Sequence, residues 1–514
     1  MSARYVLTVD LGTQGVRAII FNNKGKLVEK VKHSFEEPYY SLKPGYAEAS
    51  VGKYYRRVCH VIKEIKKSCP EIFNSVEAVS ITTMRDVPVL VDDKGSVLRD
   101  SFLWLDQRRA KCEEKLPRKS TLIFKSVNML DTALNTRKKV KANWIKENEP
   151  DIWEKTDKYL LLSGYLNYKL TGKMVDSIGS QIGHIPFDYK KQSWYSKKHF
   201  KWPLFNIEKE KLPVLVESGS VIGVVTEKAS AETGLREGLP VIGSGSDKGC
   251  ETLGSGCYSG NIGSLSFGTT ATIQTTTNKY VEPIKFFPSY PSIIPNNYNP
   301  EIEIFRGYWM ISWFKKEFSH KEIAEAKILG VTAEELLNQR LIEIEPGANG
   351  LILQPYWSPS LNDINAKGAI IGFSDVHTKF HIYRAIIEGI NYALIEGKEQ
   401  LEKSTGNKID RLVVSGGGSQ SDAICQITAN MFGLPVHRGE TYETSGLGAA
   451  ICAFYGIGAF ESIQEAAKEM VHHKTTFEPD LEITRRYDDL YRKVYSNIYK
   501  SLNKIYHEIK QIYK

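Results

Sequence analysis

The sequence predicts an α/β protein of at least two domains, each built on a mixed sheet covered by helices. Three observations carry this. The first is the opening stretch, in which two apolar, β-branched runs, Tyr5–Gly12 and Gly15–Phe21, flank a Gly-Thr turn. A second turn, Asn22-Asn23-Lys24-Gly25-Lys26, then returns into Leu27-Val28. The second is a strand–helix–strand succession: a helix over 54–67 with Tyr55, Val58, Val61, Ile62 and Ile65 on one face, then a buried strand over 75–83. The third is a copy of the first design far along the chain. Ser264-Leu265-Ser266-Phe267-Gly268-Thr269-Thr270-Ala271-Thr272-Ile273-Gln274 again reads strand, Gly-Thr turn, strand.

A chain of 514 residues is long enough for two or more cores. With 41% hydrophobic and 25% charged residues it has the balance of a globular protein. The formal charge of +8 is spread thinly, so runs such as Arg137-Lys138-Lys139 read as solvated faces and no nucleic-acid partner is expected. Seven scattered cysteines without a Cys-x-x-Cys pair argue for reduced thiols and a cytoplasmic setting. Eleven histidines form no metal-ligand spacing. The chain enters a strand at once and holds no bilayer-length apolar run, so neither a signal peptide nor a membrane partner is expected.

In order along the chain, the first turn places Asp10 at the end of a strand. Gly12 and Gly15 permit close backbone approach, and the turn's N–H groups and hydroxyl suit phosphate oxygens. Asp10 could hold a cation there or serve only to cap a hairpin; both readings stand at this point. The strand over 75–83 delivers Arg85 and Asp86 to the carboxyl end of a sheet, where ligands of α/β proteins sit. The stretch 110–240 is patterned more weakly. In the loop 176–190, His184, Phe187 and Tyr189 either stack on a substrate or pack a core. The stretch from Leu239 to Asp247 reads as a strand entering a Gly/Ser loop, and the domain boundary is placed at residues 246 and 247. A helix is expected over 380–404. A buried strand, Arg411–Ser415, leads through Gly416-Gly417-Gly418-Ser419-Gln420-Ser421 into a helix over 422–431, which suits close approach of a nucleotide. From Tyr487 to Ile509 apolar and tyrosine residues recur at helical spacing, which reads as packing in a long amphipathic helix.

The ordered set Asp10-Leu11-Gly12-Thr13, Trp104-Leu105-Asp106-Gln107-Arg108, Gly245-Ser246-Asp247, Phe267-Gly268-Thr269-Thr270, Arg384–Gly389 and Gly416-Gly417-Gly418 resembles the FGGY carbohydrate kinases. That family includes glycerol kinase, xylulokinase and autoinducer-2 kinase. The resemblance implies two actin-like, ribonuclease H-like domains, over 1–246 and 247–514, with the active site in the cleft between them. The first would bind sugar and carry the first phosphate turn, and the second would bind nucleotide. It implies ATP-dependent phosphorylation of a hydroxyl of a small sugar, ketose or polyol, with Mg²⁺. Asp247 would be the general base and also touch substrate, alongside Arg85, Asp86 and Trp104. ATP would meet Gly12, Thr13, Gln14 and Arg17, then Gly268, Thr269 and Thr270, then Gly416, Gly417, Gly418 and Ser421. Asp10 and Asp247 would hold the metal through water. Gln426 lies on the helix behind the triple glycine, and Asn430, where the family often has Asp, reads as structural.

Arg85-Asp86 resembles the Arg-Glu pair with which glycerol kinases grip vicinal hydroxyls; a structural ion pair is the competing reading. Xylulokinases carry His at this place, and Ser358-Pro359-Ser360-Leu361-Asn362-Asp363 replaces a Gly-Glu-Arg loop, so both features point away from the xylulokinase branch. Autoinducer-2 kinase or glycerol kinase activity is the narrower alternative. Rival classes are a non-catalytic nucleotide sensor and another kinase or ATPase of the superfold. Cleft closure over both ligands, hinged on Gly243-Ser244-Gly245-Ser246 and continuing at Gly249 and Gly254-Ser255-Gly256, is expected. Homodimer formation is left open.

Overall fold

The computed structural model describes residues 3–358 and 365–513, so the segment Pro359–Asp363 noted above lies outside the described residues. By internal contacts the chain divides into two compact units. One comprises Met1–Gly254, Tyr290–Asn297 and Glu443–Val471, the other Ser255–Ser289, Tyr298–Tyr442 and His472–Lys514. The helix beginning at Asp247, placed by the sequence at the head of the second domain, packs with the first unit. So does the returning segment Glu443–Val471.

In the first unit β1 (Tyr5–Gly12), β2 (Gly15–Asn22) and β3 (Leu27–Ser34) form the expected meander, joined by β4 (Val76–Thr83), β5 (Val221–Val224) and β6 (Pro240–Ser246). The sheet order is β5-β6-β4-β1-β2-β3. β1 pairs antiparallel with β2 and parallel with β4, β4 parallel with β6, and β5 antiparallel with β6. β1 is buried from Val6 to Leu11 without alternation, because helices cover both faces of the sheet. The helix Val51–Ser68 buries Tyr54, Tyr55, Val58, Val61, Ile62 and Ile65, the face its periodicity predicts. The helix Thr444–Gly456 lies against β1, β4 and β6 and is apolar and buried along nearly its whole length. It also crosses the helix Asp247–Gly254 at a distance only glycine allows. A Cβ on Gly254 would fall 2.0 Å from the Thr444 carbonyl oxygen, and one on Gly448 2.0 Å from that of Cys250.

One expected feature differs. Gly243-Ser244-Gly245-Ser246 is not a loop; these residues finish β6, with a register shift between Gly243 and Ser246, and Ser244 and Ser246 are buried. Their small size serves packing, since a Cβ on Gly245 would meet Ile293 Cδ1 at 2.8 Å. The strand Pro88–Val91 leaves the main sheet and pairs with Lys158–Leu161.

The second unit repeats the plan. β7 (Ile262–Phe267), β8 (Ala271–Gln274), β9 (Glu301–Ile304), β10 (Arg411–Ser415), β11 (Val436–Gly439) and β12 (His473–Phe477) form a sheet in the order β9-β8-β7-β10-β11-β12. Here too an antiparallel meander meets two parallel neighbours and ends on an antiparallel edge. Its core is organised by the helix Lys379–Thr405. The C-terminal stripe is packing, as predicted. Tyr487, Tyr491, Tyr495 and Tyr506 are buried, and Tyr392 stacks on Tyr495 at 4.9 Å between centroids. The stripe is broken by a π-helical turn over Tyr491–Tyr495.

Inside this helix layer Arg384 Nε donates to Glu388 Oε1 at 2.7 Å, and Tyr487 Oη donates to the same oxygen at 2.6 Å. Arg384 Nη1 also closes onto the carbonyls of Leu341 and Ile344. Removing one partner of such a buried pair strands the other charge. Arg384→Met should therefore cost about 3–5 kcal/mol and lower the melting temperature of the second unit. Glu388→Gln, which keeps an acceptor for Tyr487, should lower it less in the same thermal scan; equal melting of Arg384→Met and the parent would refute the assignment.

Candidate active site

In the first unit the site grows from the carboxyl ends of β1, β4 and β6. Asp10 is 5% exposed and faces Arg17 directly across the β1–β2 ladder. Arg17 Nη1 reaches Asp10 Oδ2 at 2.7 Å, and the network continues through Arg17 Nε to Glu443 at 3.4 Å and Lys30 Nζ to Glu443 at 2.8 Å. Burial pushes the Asp10 carboxyl up to about 6; Arg17 pulls it down, and the charge of Asp247 pushes it up again. In the turn itself, Thr13 Oγ1 accepts from Trp104 Nε1 at 3.1 Å, and the Gln14 carbonyl accepts from Phe35 N at 2.9 Å. Trp104 is half exposed. Its turn is fixed by buried Asp106, which accepts from Ala47 N, Arg108 and Lys141.

Asp247 opens the helix that follows β6, where the N-terminal dipole favours a carboxylate. Its Oδ1 accepts from Lys248 N at 2.8 Å, and its carbonyl accepts from Ser445 Oγ at 3.2 Å. Burial raises its carboxyl above the usual range, against the pull of Arg85 and Lys248. Arg85 donates from Nε to Ser246 Oγ at 3.3 Å and stacks on Tyr290 at 4.8 Å. Asp86 is engaged elsewhere: its two oxygens take the His184 backbone N–H at 2.9 Å and the His184 ring Nδ1 at 2.6 Å. Burial alone would raise the Asp86 carboxyl, but His184 outweighs it and holds it below the usual range.

The second unit holds the other predicted groups. Gly268 and Thr269 carbonyls accept from Tyr308 N and Trp309 N, and Thr270 Oγ1 donates to Phe305 O at 3.3 Å. After β10 the triple glycine does not enter a helix directly. Gly416 adopts φ 82°, Gly417–Gln420 makes a 3₁₀ turn, and Ser421 caps the helix Asp422–Phe432 by accepting from Ile424 N. A cavity of about 780 Å³ opens here, lined by Gly417, Ser421, Asn338, Ile342, Gln426 and Tyr442 among others. Asn430 binds the Asp480 and Thr484 groups and the Gln426 amide, a structural duty.

The sequence reading missed Glu443, Tyr290, Asn338 and Ile342. Nothing local marks them, since each is an ordinary residue on a segment whose fold partner lies far away in sequence. Among the described residues no group of three or more His, Cys, Asp or Glu is placed to hold a metal. What exists is a pair, Asp10 and Asp247, close enough for one charge to raise the other. Such a pair fits a hard cation whose other ligands are water and phosphate oxygens.

The two units repeat one sheet topology, the first with buried carboxylates at its strand ends and the second with a glycine-lined cavity. The chain belongs to the FGGY family of carbohydrate kinases: its N-terminal domain profile matches residues 5–254 and its C-terminal domain profile residues 263–457. It is 27% identical to a xylulose kinase of Lactococcus lactis over 98% of both chains. It is 27% identical to an L-fuculokinase of Escherichia coli over 94% of this chain and 98% of that one. The crystal structure of xylulose kinase from Rhodospirillum rubrum superposes with a TM-score of 0.83 at 24% identity, covering 98% of this chain and 100% of that one. The protein is thus a phosphotransferase with an alcohol group as acceptor, and the readings as a nucleotide sensor or as another class of ATPase fall. Kinases of this family take the phosphoryl group from ATP, and no helix among the described residues is long and apolar enough to cross a membrane.

Gly417 and Gly418 separate ligand space from packing space. A Cβ on Gly417 meets nothing within 4 Å, whereas one on Gly418 would lie 2.4 Å from the Tyr308 ring. Gly417→Val should therefore melt like the parent yet weaken ATP binding by about tenfold or more, because the branched side chain enters the cavity. Gly418→Val should lose stability outright. Unchanged ATP affinity of Gly417→Val in calorimetry would assign the cavity to something other than the nucleotide.

Proposed function

We propose that this enzyme phosphorylates a hydroxyl of a small neutral ketose or polyol, with Asp247 as general base. The observation that carries the reading is the neighbourhood of Asp247: a buried carboxylate at a helix start, its basicity raised by burial, facing the Arg85 guanidinium. Phosphoryl transfer asks the protein for in-line positioning, charge neutralisation and a base for the hydroxyl proton. Arg85, held by Ser246 and Tyr290, supplies directed donors to substrate oxygens. Trp104 offers an apolar face beside the Thr13 turn. Asp247 takes the hydroxyl proton as the oxygen attacks the γ-phosphate. Thr13, Gln14 and Arg17 belong to the first phosphate turn and Thr269 and Thr270 to the second, while the cavity at Gly417 and Ser421 takes the adenosine. Asp10 and Asp247 would hold Mg²⁺ through water, and the metal, when bound, neutralises phosphate charge. Arg17 keeps Asp10 ionised and oriented meanwhile.

The names of the relatives support a ketose: two of them are a xylulose kinase and an L-fuculokinase. Arg85 favours a second reading, a triol held as glycerol kinases hold theirs. An ADP-release screen over triols, tetritols, ketopentoses, ketohexoses and autoinducer-2 precursors separates them. On the accepted sugar, Asp247→Asn should keep its fold and its ATP binding and lose about 10²–10⁴-fold in kcat. Near-parental turnover would remove Asp247 from the base role.

A further inference from the structure

We propose that His184, oriented by Asp86, binds the acceptor sugar directly by accepting a hydrogen bond from one of its hydroxyls, and thereby selects an uncharged vicinal diol over a sugar acid. The inference rests on the proposed function for the location of the sugar site and deepens it.

Both carboxylate oxygens of Asp86 are spent on His184, one on its backbone N–H and one on its ring Nδ1. Asp86 itself sits at φ 55°, a conformation that a non-glycine residue keeps only where its surroundings impose it. The surroundings here do so from the far side. Asp86 N donates to Ile182 O at 3.1 Å, and the Tyr189 hydroxyl bonds both to Gly183 N and to Gly183 O. Upstream, Gln181 donates to Asp176 at 2.7 Å. Asp176 is fully buried and accepts from Ser163, Asn167 and Ser177 as well. The loop carrying His184 is thus tied by three hydrogen bonds to Asp86, the neighbour of Arg85, and braced internally by Tyr189 and Asp176.

In the neutral ring, a carboxylate on Nδ1 places the proton there and leaves Nε2 with a lone pair. Among the described residues that Nε2 has no hydrogen-bond partner, and the His184 side chain is 36% exposed. Next to Asp86 in the chain, Arg85 carries guanidinium donors and is stacked on Tyr290, whose ring packs edge-on against Tyr189 of the His184 loop. A donor and an acceptor together match two adjacent hydroxyls, one receiving a hydrogen bond and its neighbour giving one. A ligand carboxylate has no proton to give, so it would leave the lone pair of Nε2 against a charge. Asp86 is then a positioning residue, and the sugar-reading group is a residue the sequence motif does not contain.

The test uses the full chain labelled with ¹⁵N-histidine, together with kinetics on D-xylulose, glycerol and D-gluconate. At about pH 8, where an ordinary imidazole is neutral, the ring resonance missing from His184→Gln should show the Nδ1–H tautomer. In Asp86→Asn it should shift toward a mixture. His184→Ala should raise KM for the accepted neutral sugar about 10–100-fold, with kcat within about threefold and KM for ATP unchanged. His184→Gln, which restores an acceptor, should recover part of that loss. An Nε2–H tautomer, an unchanged sugar KM in His184→Ala, or a preference of the parent enzyme for D-gluconate would each overturn the proposal. If the parent phosphorylates none of the three compounds, the KM readout moves to the substrate that the ADP-release screen identifies, a screen without any hit refutes the proposed substrate class, and the tautomer in the parent protein decides the role of His184 in either case.

Discussion

Burying Asp10 is the constraint from which the first unit follows. A carboxylate at 5% exposure must find a cation, and the hairpin register supplies one by setting Arg17 opposite it. Arg17 then needs a further counter-charge, and Glu443 provides it, itself paired with Lys30 of β3. Glu443 stands at the head of the helix Thr444–Gly456, so the charge network and the cover of the sheet are one feature. The same helix touches the Asp247 carbonyl through Ser445. Both carboxylates are therefore held by one assembly of strand, hairpin and returning helix.

The second unit uses the same sheet for different chemistry. Its first hairpin has Ser266 where the first unit has Asp10, each two residues before the turn glycine, and after β10 a triple glycine leads through a 3₁₀ turn to a helix N-terminus. Duplication of one topology explains why both Gly-Thr turns follow a first strand at the centre of a sheet. In each unit the parallel neighbour of that strand, β4 or β10, delivers the next candidate loop, Arg85-Asp86 or Gly416-Gly417-Gly418. The ligand-facing positions are strand ends, where backbone groups have left the ladder and can serve a ligand.

Much of this was legible in the residues. The Gly-Thr hairpins, the strand over 75–83, the helices over 54–67 and 380–404 and the glycine run declare themselves by local spacing, and all are found close to their expected bounds. Asp247 was found by motif and proves to begin a helix. The Gly243–Ser246 run, expected as a loop, finishes a strand, because small residues signal close approach equally well inside a strand. His184 stood between stacking and packing. No sequence spacing links it to Asp86, 98 positions earlier.

The sequence by itself determined the fold class, the duplicated hairpins, the family and the identity of the candidate base, because hydrophobic periodicity and turn chemistry act over a few residues. Tertiary structure alone decided which charges meet. It brought Glu443 to Arg17, Tyr290 to Arg85 and His184 to Asp86, and it returned a helix from residue 444 to the sheet begun at residue 5. The reason is physical: a buried charge is settled by whatever partner the packed chain puts within about 3 Å, and that partner's place in the sequence carries no trace of the meeting.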